Sequence, residues 1–93
     1  MKTRKGKYVL VTTEYKGVFY GKVIDDSEYP KLMTLGEARN VIYWSSDCNG
    51  FLGLASKGYT KDCKIGEKVN EIDLVDLTSM TPVSKKAQKV WNN

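Results

Sequence analysis

An α+β fold is predicted: a compact, mostly antiparallel sheet of about five short strands, with one short middle helix and a C-terminal helix. Three features predict it. Residues 7–24 hold two runs of β-branched and aromatic residues, KYVLVTTE and VFYGKVI, which meet at the turn chemistry of EYKG. Residues 39–44 and 70–80 carry further strand formers. Residues 81–93, TPVSKKAQKVWNN, set Val83, Ala87, Val90 and Trp91 on one helical stripe. Ninety-three residues, 41% hydrophobic and 28% charged, suit a single small core.

In chain order, residues 1–6 form a basic N-terminal arm and residues 7–93 the single domain. Residues 7–24 read as a hairpin, with Gly17 available for a positive φ in its turn. Gly21 within the second strand signals a bulge or a close neighbour. Residues 25–30 form a loop, and KLMTL at 31–35 a short strand. The next stretch, TLGEARNVIYW, carries two competing signals. Thr34 and Glu37 have capping-box spacing, which argues for a helix start. Val41, Ile42, Tyr43 and Trp44 are consecutive strand formers and favour a turn at Gly36 followed by a strand from about Arg39 to Trp44. Val41 and Tyr43 would share one face, Ile42 and Trp44 the other. Both faces are apolar, which fits a strand covered on both sides or one that meets a partner chain.

Residues 47–58 suit the middle helix, with Asp47 or Asn49 as N-cap, Gly58 just past the end, and Phe51, Leu52, Leu54 and Ala55 on the buried side. Residues 59–69 read mostly as loop. In 70–80, Ile72 and Leu74 alternate and Leu77 falls out of phase, which a bulge near Val75 would explain. Thr81 as N-cap and Pro82 at the first helical position open the last helix, with lysines in its later turns.

The chemical inventory argues against an enzyme. The chain has no histidine, so no Ser-His or Cys-His nucleophile pair can form. Its carboxylates lie almost all in charged, solvated segments that suit neutral-pH acid–base work poorly, Asp47 excepted. GFLG at 50–53 matches no phosphate loop, and Asp25 and Asp26 lack the spacing of a calcium loop. Cys48 and Cys63 stand fifteen apart with no histidine to complete a zinc set, so neither a metal nor a cofactor is expected. No apolar run approaches the ~18 residues of a membrane span. Tyr8 to Val11 is too short for a signal-peptide core, so a cytoplasmic protein is expected.

Binding chemistry is better represented. Ser45, Ser46, Asp47 and Asn49 offer hydroxyls, a carboxylate and an amide, flanked by the rings of Tyr43, Trp44 and Phe51. Rings that stack beside short polar side chains suit a base or a nucleotide. Arg39 is the one arginine outside the basic arm, and its planar fork suits a phosphate or carboxylate. The same residues also serve a strand end and a capped turn. The net charge of +4 has the sign for an anionic partner, but acidic residues interrupt it throughout. Only the two ends are locally basic, Lys2, Arg4, Lys5 and Lys7 at one and Lys85, Lys86 and Lys89 at the other.

Four passages, KYVLVTTEYKGVFYGKV, LGEARNVIYW, GFLGLASKG and EIDLVDLTSMTPVSKKA, together resemble a family of small tailed-phage and prophage proteins of unassigned function. The resemblance implies a phage origin and expression in a bacterial cytoplasm; it brings no catalytic residues. Small phage accessory proteins without catalytic groups often bind a host defence protein or sequester a nucleotide signal. The expectation is therefore a non-enzymatic protein that counters host defence, a homo-oligomer binding an anionic nucleotide-type ligand. An inhibitor that docks on a host defence enzyme is the second expectation, and a small barrel that binds nucleic acid the third.

Overall fold

The computed structural model describes residues 3–14, 17–44 and 50–92, and of Phe51 the backbone alone. Within them the chain forms β1 (Tyr8–Thr13), β2 (Val18–Asp25), β3 (Leu32–Tyr43), α1 (Gly50–Ser56), β4 (Lys64–Ile65), β5 (Val69–Val75), β6 (Leu77–Pro82) and α2 (Lys85–Trp91). The fold is α+β, with a six-stranded antiparallel sheet and two short helices.

β1, β2 and β3 form a meander, with Leu10 opposite Tyr20 and Tyr20 opposite Arg39. β5 pairs with the first part of β3, Leu32 opposite Val75, and β4 pairs with its end, Val41 opposite Ile65. β6 crosses to the other side of the meander and pairs with β1, Val9 opposite Pro82. β5 runs into β6 through a single residue, so the chain links the β3 side of the sheet to its β1 side and the sheet curls between them. Asp76 turns that corner with φ 54. Its N–H donates to Lys31 O at 3.0 Å, and its carbonyl accepts from Glu14 N at 2.9 Å. Aspartate is among the few residues besides glycine that visit this conformation readily.

Strand alternation divides the core in two. Val9, Val11, Val23, Met33, Leu35, Leu74 and Leu77 point into the curl of the sheet. Leu10, Val18, Tyr20 and Val41 point outward, where Leu54 and Ala55 of α1, and Val83, Ala87 and Trp91 at and in α2, cover them. Each side has its own buried apolar set, which is how so short a chain buries surface on both faces of one sheet.

Several elements differ from expectation, each for a physical reason. The anticipated turn at Gly36 does not exist: β3 is one strand from Leu32 to Tyr43. Between the pairs Tyr20–Arg39 and Lys22–Gly36 the ladder takes in one extra residue on β3, a bulge at Glu37 with φ 48. A Cβ at Gly36 would lie 2.7 Å from Ile24 Cδ1, the end of an exposed side chain that can turn aside. The phase shift after Leu74 is real, but it marks the change of neighbour at Asp76 between two strands. Part of the expected 59–69 loop is the short strand β4.

The last helix starts later than Thr81. Ser84 is its N-cap, its Oγ accepting from Ala87 N at 3.1 Å, and Pro82 belongs to β6. Lys85 and Lys86 therefore open the helix, and Lys89 alone holds the last turn that the macrodipole favours for cations. α1 is described from Gly50 to Ser56, and its expected N-caps Asp47 and Asn49 lie outside the described residues. Leu54 and Ala55 are buried as expected, whereas Leu52 is 59% exposed. Gly58 ends α1 with φ 90, its N–H donating to Leu54 O at 3.1 Å. Gly17 does not take a positive φ.

Candidate functional site

The residues expected to bind a ligand do not converge within the described part of the chain. Ser45, Ser46, Asp47 and Asn49 lie outside it, as does the side chain of Phe51. Tyr43 ends β3 with 55% of its surface exposed, beside Ile42 at 65%. Trp44 is half-buried against the outer core. Arg39 is half-buried and already engaged. Its Nε donates to Gly66 O at 3.2 Å and its Nη1 to Trp91 O at 3.3 Å, and its guanidinium lies 5.7 Å from the centre of the Tyr59 ring. The planar fork fastens β3 to the end of α2, where a helix presents its partial negative charge.

A different place gathers binding chemistry. Because β6 pairs with β1, and Val83 N donates to Tyr8 O at 3.2 Å, the start of β1 and the start of α2 lie side by side. The two locally basic ends of the chain thus meet. Between them is a recess of about 530 Å³ whose lining includes Gly6, Lys7, Tyr8, Val83, Lys85 and Gln88. A shallower apolar groove, between Leu52 and Ala55 of α1 and Thr81 of β6, shares Pro82, Val83 and Ser84 with it. The arm contributes too. Thr3 Oγ1 and Arg4 N each donate to the Asp26 carboxylate at 2.7 Å, and Gly6 N donates to Val23 O at 2.8 Å.

Tyr8, among the residues that line the recess, is the outer member of an aromatic stack. The ring of Tyr8 lies 5.5 Å from that of Tyr20 at an interplanar angle of 8°, and Tyr20 lies 4.6 Å from Trp91 at 10°. Tyr59 meets Trp91 edge-on at 5.0 Å. Tyr20 and Trp91 are fully buried, and Tyr8 is the half-buried outer member. Its hydroxyl donates to Glu37 Oε2 at 3.2 Å. Burial raises the Tyr8 phenol above its usual range, and the Glu37 charge adds to this. Tyr8 therefore stays a proton donor at neutral pH.

A sequence profile matches the chain over residues 6–91, that of a domain of unknown function, DUF6948. The chain belongs to the DUF6948 family. No curated protein and no solved structure matches it. The span of the DUF6948 profile takes in both walls of the recess, from Gly6 to Gln88.

A smaller recess of about 160 Å³ sits where β3 leaves β5, among Phe19, Ala38, Asn40, Glu67, Val69 and Ile72. Among the described residues, no three His, Cys, Asp or Glu side chains come together to hold a metal ion. No helix among them is long and apolar enough to cross a membrane. The sequence did show the two basic ends. That they adjoin depends on the pairing of β1 with β6, across some seventy residues of chain, which no local pattern announces.

Proposed function

We propose that this protein is a non-enzymatic binding protein that holds a small anionic, nucleotide-type ligand in the recess between β1 and α2. One observation carries the proposal: Lys7, Tyr8 and Lys85 line one recess, and Tyr8 is the outer member of the Tyr8–Tyr20–Trp91 stack. At about 530 Å³ the recess falls within the ~300–1,000 Å³ of small-molecule sites. A base laid on Tyr8 would continue the stack, an interaction worth about 1–3 kcal/mol by analogy with base–aromatic stacking. Two lysines supply charge for a phosphate, and the Gln88 amide supplies a donor and an acceptor.

The resemblance to tailed-phage and prophage proteins supports the wider role: a phage protein, working in the bacterial cytoplasm as a homo-oligomer, that sequesters a nucleotide defence signal. The absence of histidine fits sequestration better than turnover.

Native mass spectrometry of the purified protein would read subunit number and any retained ligand. Thermal shift against mononucleotides, cyclic nucleotides and ADP-ribose-type nucleotides would follow. Ligand at 100 times its Kd stabilises by about 2.7 kcal/mol, a rise of roughly 10–20 °C for a chain of this size. Exchanging Lys7 and Lys85 together for alanine should remove the rise and leave the unliganded Tm in place. No shift with any nucleotide would overturn the proposal.

A second reading has its own support. Ile42 and Tyr43, consecutive at the end of β3 and on its opposite faces, are exposed by 65% and 55%, so the strand end leaves an apolar side chain and a ring uncovered of the kinds that anchor protein interfaces. If the protein inhibits a host defence enzyme, Tyr43→Ala with Ile42→Ser should abolish its capture from host lysate, and Lys7→Ala should not.

A further inference from the structure

Resting on the nucleotide-binding reading, we propose that the ligand has two ring-bearing halves joined by a phosphate bridge, a dinucleotide rather than a mononucleotide. One half lies in the recess between β1 and α2, and the second ring lies in the groove between α1 and β6. The two spaces adjoin along one stretch of chain, because Pro82, Val83 and Ser84 line both. Val83 is buried and Pro82 is exposed, so the Pro82 ring is the saddle over which a ligand passes from one space to the other. Lys85 lines the recess and follows Ser84 directly, which puts its ammonium beside that crossing. A cation there attracts a phosphate bridge.

The two spaces differ in chemistry as the halves of such a ligand require. Lys7 and Lys85 make the recess cationic. Among the described residues that line the groove, which holds about 270 Å³, none is charged. Leu52 and Ala55 of α1 face Thr81 and Pro82 of β6 across it, and Leu52 is 59% exposed. The serine hydroxyls of the groove are already bonded. Ser84 Oγ donates to Ser56 O at 2.7 Å, and Ser56 Oγ donates to Gly53 O at 3.5 Å. What the groove offers is therefore apolar contact, which receives the face of a ring without reading its edge. Once the phosphate bridge is held, the second ring enters the groove as an intramolecular step and adds affinity without adding charge.

Calorimetric titration with AMP, ADP and diadenosine pyrophosphate tests this. The last carries a second adenosine and no more phosphate charge than ADP. Wild-type protein should bind it about tenfold or more tighter than ADP. Leu52→Ser should erase that gain and leave AMP and ADP within about twofold. The Leu52 side chain is largely exposed, so a Tm close to that of the wild type controls for folding. Leu52→Met, which keeps an apolar wall, should keep the gain. Exchanging Lys7 and Lys85 together for alanine should weaken all three ligands. Equal affinity for ADP and the dinucleotide in the wild type, or a gain that survives Leu52→Ser, would refute the second ring site and leave nucleotide binding standing. Binding of no nucleotide at all would overturn both.

Discussion

The indole Nε1 of Trp91 donates a buried hydrogen bond to the carbonyl oxygen of Leu54 across 3.0 Å, tying the last residue of α2 to the middle of α1. Each helix has seven residues, too few to persist alone. They are held by this bond, by the stack on Tyr20, and by Ser84, whose Oγ donates to Ser56 O at 2.7 Å.

Trp91→Phe keeps a ring on Tyr20 but removes the donor. Leu54 O still accepts from Gly58 N, so the loss should be about 1–2 kcal/mol. Trp91→Ala also leaves a cavity at a fully buried site and should cost about 3–5 kcal/mol. Urea unfolding followed by circular dichroism measures both. A cost below about 1 kcal/mol for the alanine variant would show that the helices are held without the ring.

Gly58→Ala should be destabilising twice over. The position has φ 90, and a Cβ would lie 2.7 Å from Val90 Cβ and 3.0 Å from both its γ carbons. Backbone strain alone is of order 1–3 kcal/mol, and the clash would push α2 off α1. The expected result is a Tm lower by roughly 10 °C or more. An unchanged Tm would mean that the two helices separate here without cost.

What the sequence made legible follows from range. The opening hairpin and the αL end of α1 rest on neighbours in the chain, and both are found. The start of the last helix was misplaced because Thr81 and Pro82 have good helix-start chemistry, yet the chain needs them as partners of Leu10 and Val9 in β6. Gly36 reads as a turn because glycine is a turn former, yet β3 runs through it without a break and the irregularity falls one residue later, at Glu37. The phase slip at Leu77 was visible, but not that the chain changes neighbours there. The recess was hidden for the same reason. Lys7 and Lys85 are its walls only because β6 returns to β1.

Alkaline pH should unfold the protein through its ring stack. Burial, with Tyr8 alongside, raises the Tyr20 phenol far above its ordinary value of 10.0, and Tyr8 is raised as well. A raised folded-state value means that the native protein keeps protons the unfolded chain releases. The stabilisation is complete below pH 10 and is lost as pH rises through the folded values. The urea midpoint should fall above about pH 10, and Tyr20→Phe should flatten that fall. An equally steep fall in Tyr20→Phe would assign it to other groups.

Acid should release the arm first. The Asp26 carboxyl is held below its ordinary value of 3.8 by the Arg4 N–H and then by the Thr3 hydroxyl. A lowered folded-state value gives stabilisation that is present above the ordinary value and lost as pH falls through the folded one. Hydrogen exchange at Arg4 and Gly6 should therefore accelerate below the ordinary carboxylate range, ahead of exchange in β1. Asp26→Ala should show the same fast exchange at neutral pH. Protection of Arg4 that survives in that variant would mean the arm is held elsewhere.

Arg39 separates a structural role from a ligand role. Its fork reaches Gly66 O and Trp91 O while the guanidinium lies by the Tyr59 ring, and a single ammonium cannot serve all three. Arg39→Lys should therefore lower stability by about 1–2 kcal/mol, because it weakens the tie between β3 and the end of α2. Nucleotide affinity should stay within about twofold, since the phosphate is assigned to Lys7 and Lys85 on the far wall of the ring stack. The paired lysine exchange should do the reverse, abolishing affinity at nearly constant Tm. If Arg39→Lys instead abolished nucleotide binding at unchanged Tm, the ligand would sit beside Arg39 and the 43–51 segment, and the recess would lose its assignment.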